Sequence, residues 1–195
     1  MFALVQDGSI TKYISGNRGI TIGDIQYPQN IFTLWSAAER EAIGIYEVVF
    51  DNSNKKDEAY YINTTQSFNF GDGVVTASYG SATAKELDDR NATNEAGEEL
   101  DPVVVIEGLK TKHKKIIKKQ ASGLLEPTDW YNHKALDDDT FTIPANITTY
   151  RANIRTRSNE METAIDNASD VDALAALYVY KDGERPLGEF PILEI

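Results

Sequence analysis

With 195 residues the chain can bury one substantial core or two small ones without metal or disulfide staples. Cysteine is absent, which excludes thiol catalysis, disulfides and cysteine-bound zinc. The formal net charge of −12 argues against a general nucleic-acid binder, because phosphate repulsion opposes binding unless basic groups cluster.

The first residues, MFALVQDGSI, carry no basic region followed by an apolar run, so no secretory leader is expected. No apolar stretch approaches the ~20 residues of a membrane helix, and a soluble protein is expected. FALVQDGSITKYI predicts a β-hairpin, with apolar residues flanking Asp7-Gly8, a dipeptide suited to a tight turn. QYPQNIF reads as a loop entering a short extended piece. Ser36 and Glu39 have the spacing of a capping box over SAAEREAIG, and Gly44 is placed to end that helix. IYEVVFD predicts a strand, and DNSNKKDEA is turn chemistry. YYINTTQSFNF and GVVTASYGSA, joined through Gly-Asp-Gly, predict a further hairpin.

Residues 85–101, KELDDRNATNEAGEELD, hold seven acidic residues and almost no large apolar ones, so they read as a linker or as a segment that orders only against a partner. Charge also divides the chain. Residues 1–100 carry 7 Lys and Arg against 15 Asp and Glu, while residues 101–195 carry 12 against 16. Beyond the linker the apolar period becomes helical. Asp101 can cap a helix with Pro102 in its first turn, and Ile106, Leu109, His113, Ile116, Gln120 and Leu124 share one face. Six lysines between positions 110 and 119 fall on the other faces. Pro144 starts a second long helix, with Ile147, Tyr150, Ile154, Met161 and Ile165 on one side. Ser169 and Asp172 suggest a capping box for a short helix, VDALAAL. The two long helices should pack as an antiparallel pair. The tail, YVYKDGERPLGEFPILEI, has the turn signals of a small hairpin or of a segment lying extended against a neighbour.

The expected fold is therefore α+β. A β-rich module of antiparallel hairpins and one short helix covers 1–84, an acidic linker 85–101, and a helical hairpin with a short C-terminal extension 102–195.

The segment between the long helices, LLEPTDWYNHKALDDD, is the densest chemistry in the chain. Pro127 pushes Glu126 out of helical geometry, Thr128 can cap the next turn, and Trp130 is expected to be buried as the plug of the corner. A metal site is not expected, since His113 and His133 are the only histidines and consecutive aspartates point in different directions. DNSNKKDE lacks the central glycine and closing glutamate of a calcium loop. No G-x-S-x-G elbow or phosphate-binding loop occurs, so no catalytic residue and no cofactor is assigned. Two carboxylates suffice for glycoside hydrolysis, which leaves that chemistry as a minor alternative. The lysine run KTKHKKIIKK could meet a polyanion, but a solvated helix face balanced by the acidic stretch upstream is the favoured reading.

LLEPTDWYNHKALDDDTFTIPANITTYRANIRTRSNEMETAID resembles the C-terminal helical region of small tailed-bacteriophage tail proteins, including tail fibre assembly proteins and related tail or virion proteins. The residues carrying the resemblance are Leu125, Thr128, Asp129 and Trp130 at the corner, then Pro144, Tyr150, Arg151 and Arg155 on the helix. MFALVQDGSITKYI and YPQNIFTLWSAAEREAIGIYEV also resemble the N-terminal module of such proteins, through Trp35, Ser36, Glu39, Gly44 and Tyr46. The resemblance covers about half the chain, and residues 55–110 lie outside it. It implies a non-enzymatic structural component of a phage tail, baseplate or fibre-attachment apparatus. Such a protein would bind other tail, fibre or baseplate proteins, with homo-oligomerisation possible. It would reside in the virion and, during assembly, in the host cytoplasm. The alternative is a tail fibre assembly chaperone absent from the finished particle. Arg151 and Arg155, one helical turn apart, could pair with a neighbouring subunit's acidic surface or with nearby carboxylates.

Overall fold

The computed structural model describes residues 1–193, in which Met1–Thr83 and the chain from Ala84 onward form two compact units. In the first unit, β1 (Phe2–Gln6) and β2 (Ser9–Ile14) form the expected hairpin. Asp7 and Gly8 both take positive φ, as the turn requires. β3 (Ile20–Ile22) and β4 (Ile25–Tyr27) make a small separate ladder. Two short helices follow where one was expected, α1 (Ile31–Leu34) and α2 (Ala37–Glu41). The Ser36–Glu39 capping box forms in both directions at the start of α2.

β5 (Ile45–Asp51) pairs antiparallel with β1. β6 (Tyr61–Ile62) precedes β7 (Ser67–Gly71) and β8 (Val74–Ser78), a hairpin turned by Asp72 and Gly73 at positive φ; β9 (Thr83–Ala84) follows. The main sheet runs β2-β1-β5-β8-β7, and its β5–β8 pair is parallel. That pairing was not anticipated. Val75 and Ala77 are fully buried, so the β7–β8 hairpin docks through β8, its more apolar strand.

β1 is covered on both faces, which explains its unbroken apolar run. Phe2, Leu4, Ile14 and Ile45 meet Ile31 and Phe32 of α1 on one side. Ala3, Val5, Val48, Val75 and Ala77 form the other core, with Tyr46, Phe68 and Phe70 against it. Tyr13 on β2 and Phe68 on β7 lie 4.7 Å apart, so the sheet curls until its two edge strands approach each other.

The second unit opens with the stretch expected to be a bare linker. It is paired backbone instead. β10 (Arg90–Asn91) and β11 (Val105–Ile106) are antiparallel, and Thr93 bridges Glu99, giving one irregular hairpin whose return strand is interrupted by a cis Asp101–Pro102 peptide. The first long helix, α3 (Leu109–Leu125), therefore begins seven residues after Pro102 rather than at it. Asp101 and Pro102 serve the hairpin, and Ile106 lies on a strand.

Tertiary contacts decide where α3 starts. Its N-cap is Gly108, which has no side chain to accept from the first turn. The Leu109 and Lys110 amides donate to the Glu86 and Leu87 carbonyls, and Asp89 accepts from the Gly108 amide and the Thr111 hydroxyl. These bonds, the Gly108 amide's first, hold the Asp89 carboxyl below its usual range. A Cβ on Gly108 would come within 2.4 Å of the Asp88 backbone, so the close approach needs glycine. The acidic stretch thus supplies the cap that α3 lacks and places negative charge at the positive end of its dipole.

α4 (Asp129–Asp137) follows a single 3₁₀ turn over Glu126–Thr128, and α5 (Ala145–Asp166) starts behind Pro144 as expected. Lys114 pairs with Asp166 at 2.7 Å and Lys118 with Glu162 at 3.2 Å, while Tyr150 and Arg151 reach Leu124 and Leu125. Rising numbers on α3 meet falling numbers on α5, so the pair is antiparallel. Ile147, Tyr150, Ile154, Met161 and Ile165 are all buried, as the helical period required. α6 (Val171–Ala176) is capped by Asp170, which accepts from the Ala173 amide, and not by Ser169; Ser169 donates to the Asp170 carboxylate. The tail turns through Asp182 and Gly183 and lies along its own helices. Leu187 is buried, and Phe190 and Leu193 pack at Ala121, Tyr150 and Ile154.

The His113 ring packs at a tilt against Tyr178, centroids 4.9 Å apart, and its Nδ1 lies 2.8 Å from the tyrosine oxygen. Partial burial lowers its pKa. A lowered pKa in the folded state means that unfolding takes up a proton. The contribution of neutral His113 is complete above the unfolded value of about 6.5 and is lost as pH falls through the lower folded value. The urea midpoint should therefore decline between about pH 7.5 and 5. The decline should be smaller in His113→Gln, and an identical pH slope in the two proteins would contradict this placement.

Candidate interaction site at the helical corner

The corner between α3 and α5 is built around Arg151, which is 7% exposed. Its guanidinium donates to the Leu125 carbonyl at 2.9 Å, to the Thr128 hydroxyl oxygen at 2.6 Å and to the Asp129 carboxylate at 2.7 Å. The Thr128 hydroxyl itself donates to the Leu125 carbonyl at 2.8 Å, and Tyr150 donates to the Leu124 carbonyl at 3.3 Å. The last carbonyls of a helix have no partner within it. Here a neighbouring helix supplies both donors, and the cation lies at the negative end of the α3 dipole.

Five of the residues singled out from the sequence thus meet at one point: Leu125, Thr128, Asp129, Tyr150 and Arg151. The role of Thr128 differs from that expected, and Arg151 takes the nearby-carboxylate alternative. Thr128 makes no side-chain cap for α4; it bridges Leu125 and Arg151 instead. Arg151 is committed within the chain and cannot also serve an outside carboxylate. Arg155 stays exposed, with a long 3.4 Å contact to the Arg151 carbonyl as its hydrogen bond. It lines an open groove of about 410 Å³ with Lys118, Ser122, Ser158 and Asn159. Trp35 lies in the other unit, edge-on to Tyr27 at 6.0 Å, with its carbonyl accepting from buried Arg40. Its part there is to hold the turn between the two short helices.

Trp130 does not plug the corner. It is 50% exposed, stacked on Tyr131 at 3.8 Å, with Phe141 tilted at 6.3 Å. Lys134 sits 4.4 Å over the Phe141 ring. α4 contributes no buried residue at all, and Leu136 on it is 80% exposed. The reason is geometric. Arg151 and Tyr150 already fill the space under the corner, so the indole one residue beyond Asp129 is turned outward. Tyr131, Leu136 and Phe141 were missed as members of this surface. Their signal was a nine-residue helix, with adjacent aromatics at Trp130 and Tyr131 and Phe141 just beyond it, and with little apolar periodicity, which reads more naturally as an exposed face than as core.

The remaining polar groups are engaged locally. Asp138 accepts from the Thr140 amide and hydroxyl; the hydroxyl contact first, these hold its carboxyl below the usual range. Four of the six lysines near α3 pair with carboxylates: Lys110 with Asp88, Lys114 with Asp166, Lys115 with Glu107 and Lys118 with Glu162. Among the described residues, no cluster of three or more histidine and carboxylate side chains has the arrangement of a metal site. No described helix is long and apolar enough to cross a membrane. Comparison with known proteins gives no match: no family model fits the chain, and neither a curated protein nor a solved structure is significantly similar to it.

Proposed function

We propose that the chain is a non-enzymatic structural component of a phage tail, baseplate or fibre-attachment apparatus, where it connects other tail proteins. The observation carrying this reading is α4, a helix pinned at one end by Arg151 yet burying none of its own residues. A helix held at one end that presents a half-exposed tryptophan beside two further aromatic rings suits protein docking, since such anchors dominate interface energetics. The corner's polar residues support the same reading, because they satisfy helix ends and one another. Two compact units give a connector two surfaces for different neighbours.

Mass spectrometry of purified particles tests the proposal. The polypeptide should be present at a stoichiometry comparable with the other tail proteins. Its presence in infected cells but absence from finished particles would replace the structural role with that of an assembly chaperone. Turnover of a cell-wall glycan by the purified chain, abolished by a single carboxylate substitution, would overturn the non-enzymatic assignment.

A further inference from the structure

The hairpin ahead of α3 carries a second exposed apolar surface, remote in sequence from Trp130. Val103, Val104, Val105 and Ile106 are 57%, 48%, 54% and 39% exposed. Alternation along a strand would ordinarily hide every second one of these side chains; here both faces are open. The backbone is open as well. Ala92 donates to the Val104 carbonyl and Arg90 is paired with Ile106, so strand alternation turns the N–H and C=O of Val105 away from β10. An apolar edge of β-branched residues with free backbone groups is a template for another strand, and proteins ordinarily blunt such edges with charge or proline. Past the cis Asp101–Pro102 peptide, neither interrupts this one from Val103 to Ile106.

We infer that this edge accepts an extended strand from a partner protein, and that the incoming strand is basic. Residues 84–108 hold eight acidic and two basic side chains; Glu86, Asp88 and Glu107 are paired with Arg90, Lys110 and Lys115, and the excess of acid lies at Glu95, Glu98, Glu99 and Asp101, on the turn that leads into the edge. A second copy is disfavoured in the two registers that align the whole apolar run. Antiparallel pairing of Val103 with Val105 sets Asp101 of one copy against Glu107 of the other, and parallel in-register pairing sets each acid against itself. Glu107 also holds Lys115 in an exposed ion pair, which is worth little and leaves the carboxylate accessible to another cation. The matching strand carries Lys or Arg at two positions six residues apart, with β-branched residues between them. Backbone pairing then supplies affinity, and the two end charges set register.

The edge lies apart from the Trp130 surface, and the inference stands whether or not the chain belongs to a phage tail. Its test is a titration of the full chain with the labelled peptide Lys-Val-Thr-Val-Thr-Val-Lys, read by fluorescence anisotropy, beside the same peptide with Glu at both ends. The basic peptide should bind saturably and at least about tenfold tighter than the acidic one, with the difference shrinking in high salt. Val105→Pro removes the outward N–H at a position where an edge strand tolerates proline, and should weaken the basic peptide by about tenfold. Its melting curve should match the parent's. Asp101→Lys leaves the edge intact and should reduce the preference for the basic peptide. Equal binding of both peptides, no saturable binding, or no loss in a folded Val105→Pro variant would overturn the inference. Concentration-dependent dimerisation of the chain alone, abolished by Val105→Pro, would overturn it in favour of self-pairing.

Discussion

Replacing Arg151 with methionine is expected to destabilise the chain by about 2–3 kcal/mol while preserving side-chain length and most apolar contact. The guanidinium joins the end of α3, the 3₁₀ turn and the start of α4 to α5 at once. Its removal leaves the Leu125 carbonyl with the Thr128 hydroxyl alone and leaves Asp129 without a cation. Because the Asp129 side chain is about half exposed, water can take over that carboxylate, and the cost stays below that of a fully buried broken pair. Arg151→Lys should recover less than half of the loss. One ammonium cannot reproduce a planar fork that serves three acceptors at once. Denaturant unfolding with linear extrapolation measures both variants. A loss under about 1 kcal/mol for methionine would mean that the corner contributes no more than a surface ion pair.

Trp130→Ala is expected to act in the opposite way. With half of the indole in solvent and no core beneath it, the unfolding midpoint should move little, within the ~0.5 kcal/mol usual for surface changes. Partner capture should fall by at least about tenfold, equivalent to roughly 1.4 kcal/mol or more, because a central aromatic anchor contributes mainly on desolvation. Trp130→Phe should keep a substantial part of the binding, and Leu136→Ala, at the far end of the same helix, should cost less. Incorporation of each variant into particles, measured against the parent in the same lysate, gives the comparison. A strong loss of thermal stability in Trp130→Ala with normal incorporation would restore the buried-plug expectation and remove α4 from the interface.

These two variants also mark how far the site could be read in advance. The sequence singled out Thr128, Asp129, Tyr150 and Arg151 as candidates, and the fold brings them together in space. What the sequence did not contain was the direction of each side chain. The corner was expected to hide its tryptophan, and Arg151 to meet either a neighbouring subunit or a nearby carboxylate. The fold turns the tryptophan outward and buries the arginine under the helix end, on the carboxylate of Asp129. Both outcomes follow from one packing event between residues more than 20 positions apart, and nothing in the local spacing of TDW or YR records which of the two wins the space.

The features that the chain determines by itself are those carried by neighbours along it. Asp7-Gly8 and Asp72-Gly73 turn because positive φ suits them, Ser36 and Glu39 close a capping box three residues wide, and the apolar period of α5 buries the residues it should. Each rests on a torsional preference, a short hydrogen bond or a repeat of side chains, and each is complete within a few residues. Tertiary structure decided the parallel β5–β8 pair, the start of α3 and the outward face of α4. At both helices the competing local signal was real: a proline suited to a first helical turn and a linker-like composition before α3, an aromatic at the corner in α4. Helix-end amides and carbonyls must find partners wherever the chain brings them, and the partners came from Glu86, Leu87, Asp89, Tyr150 and Arg151.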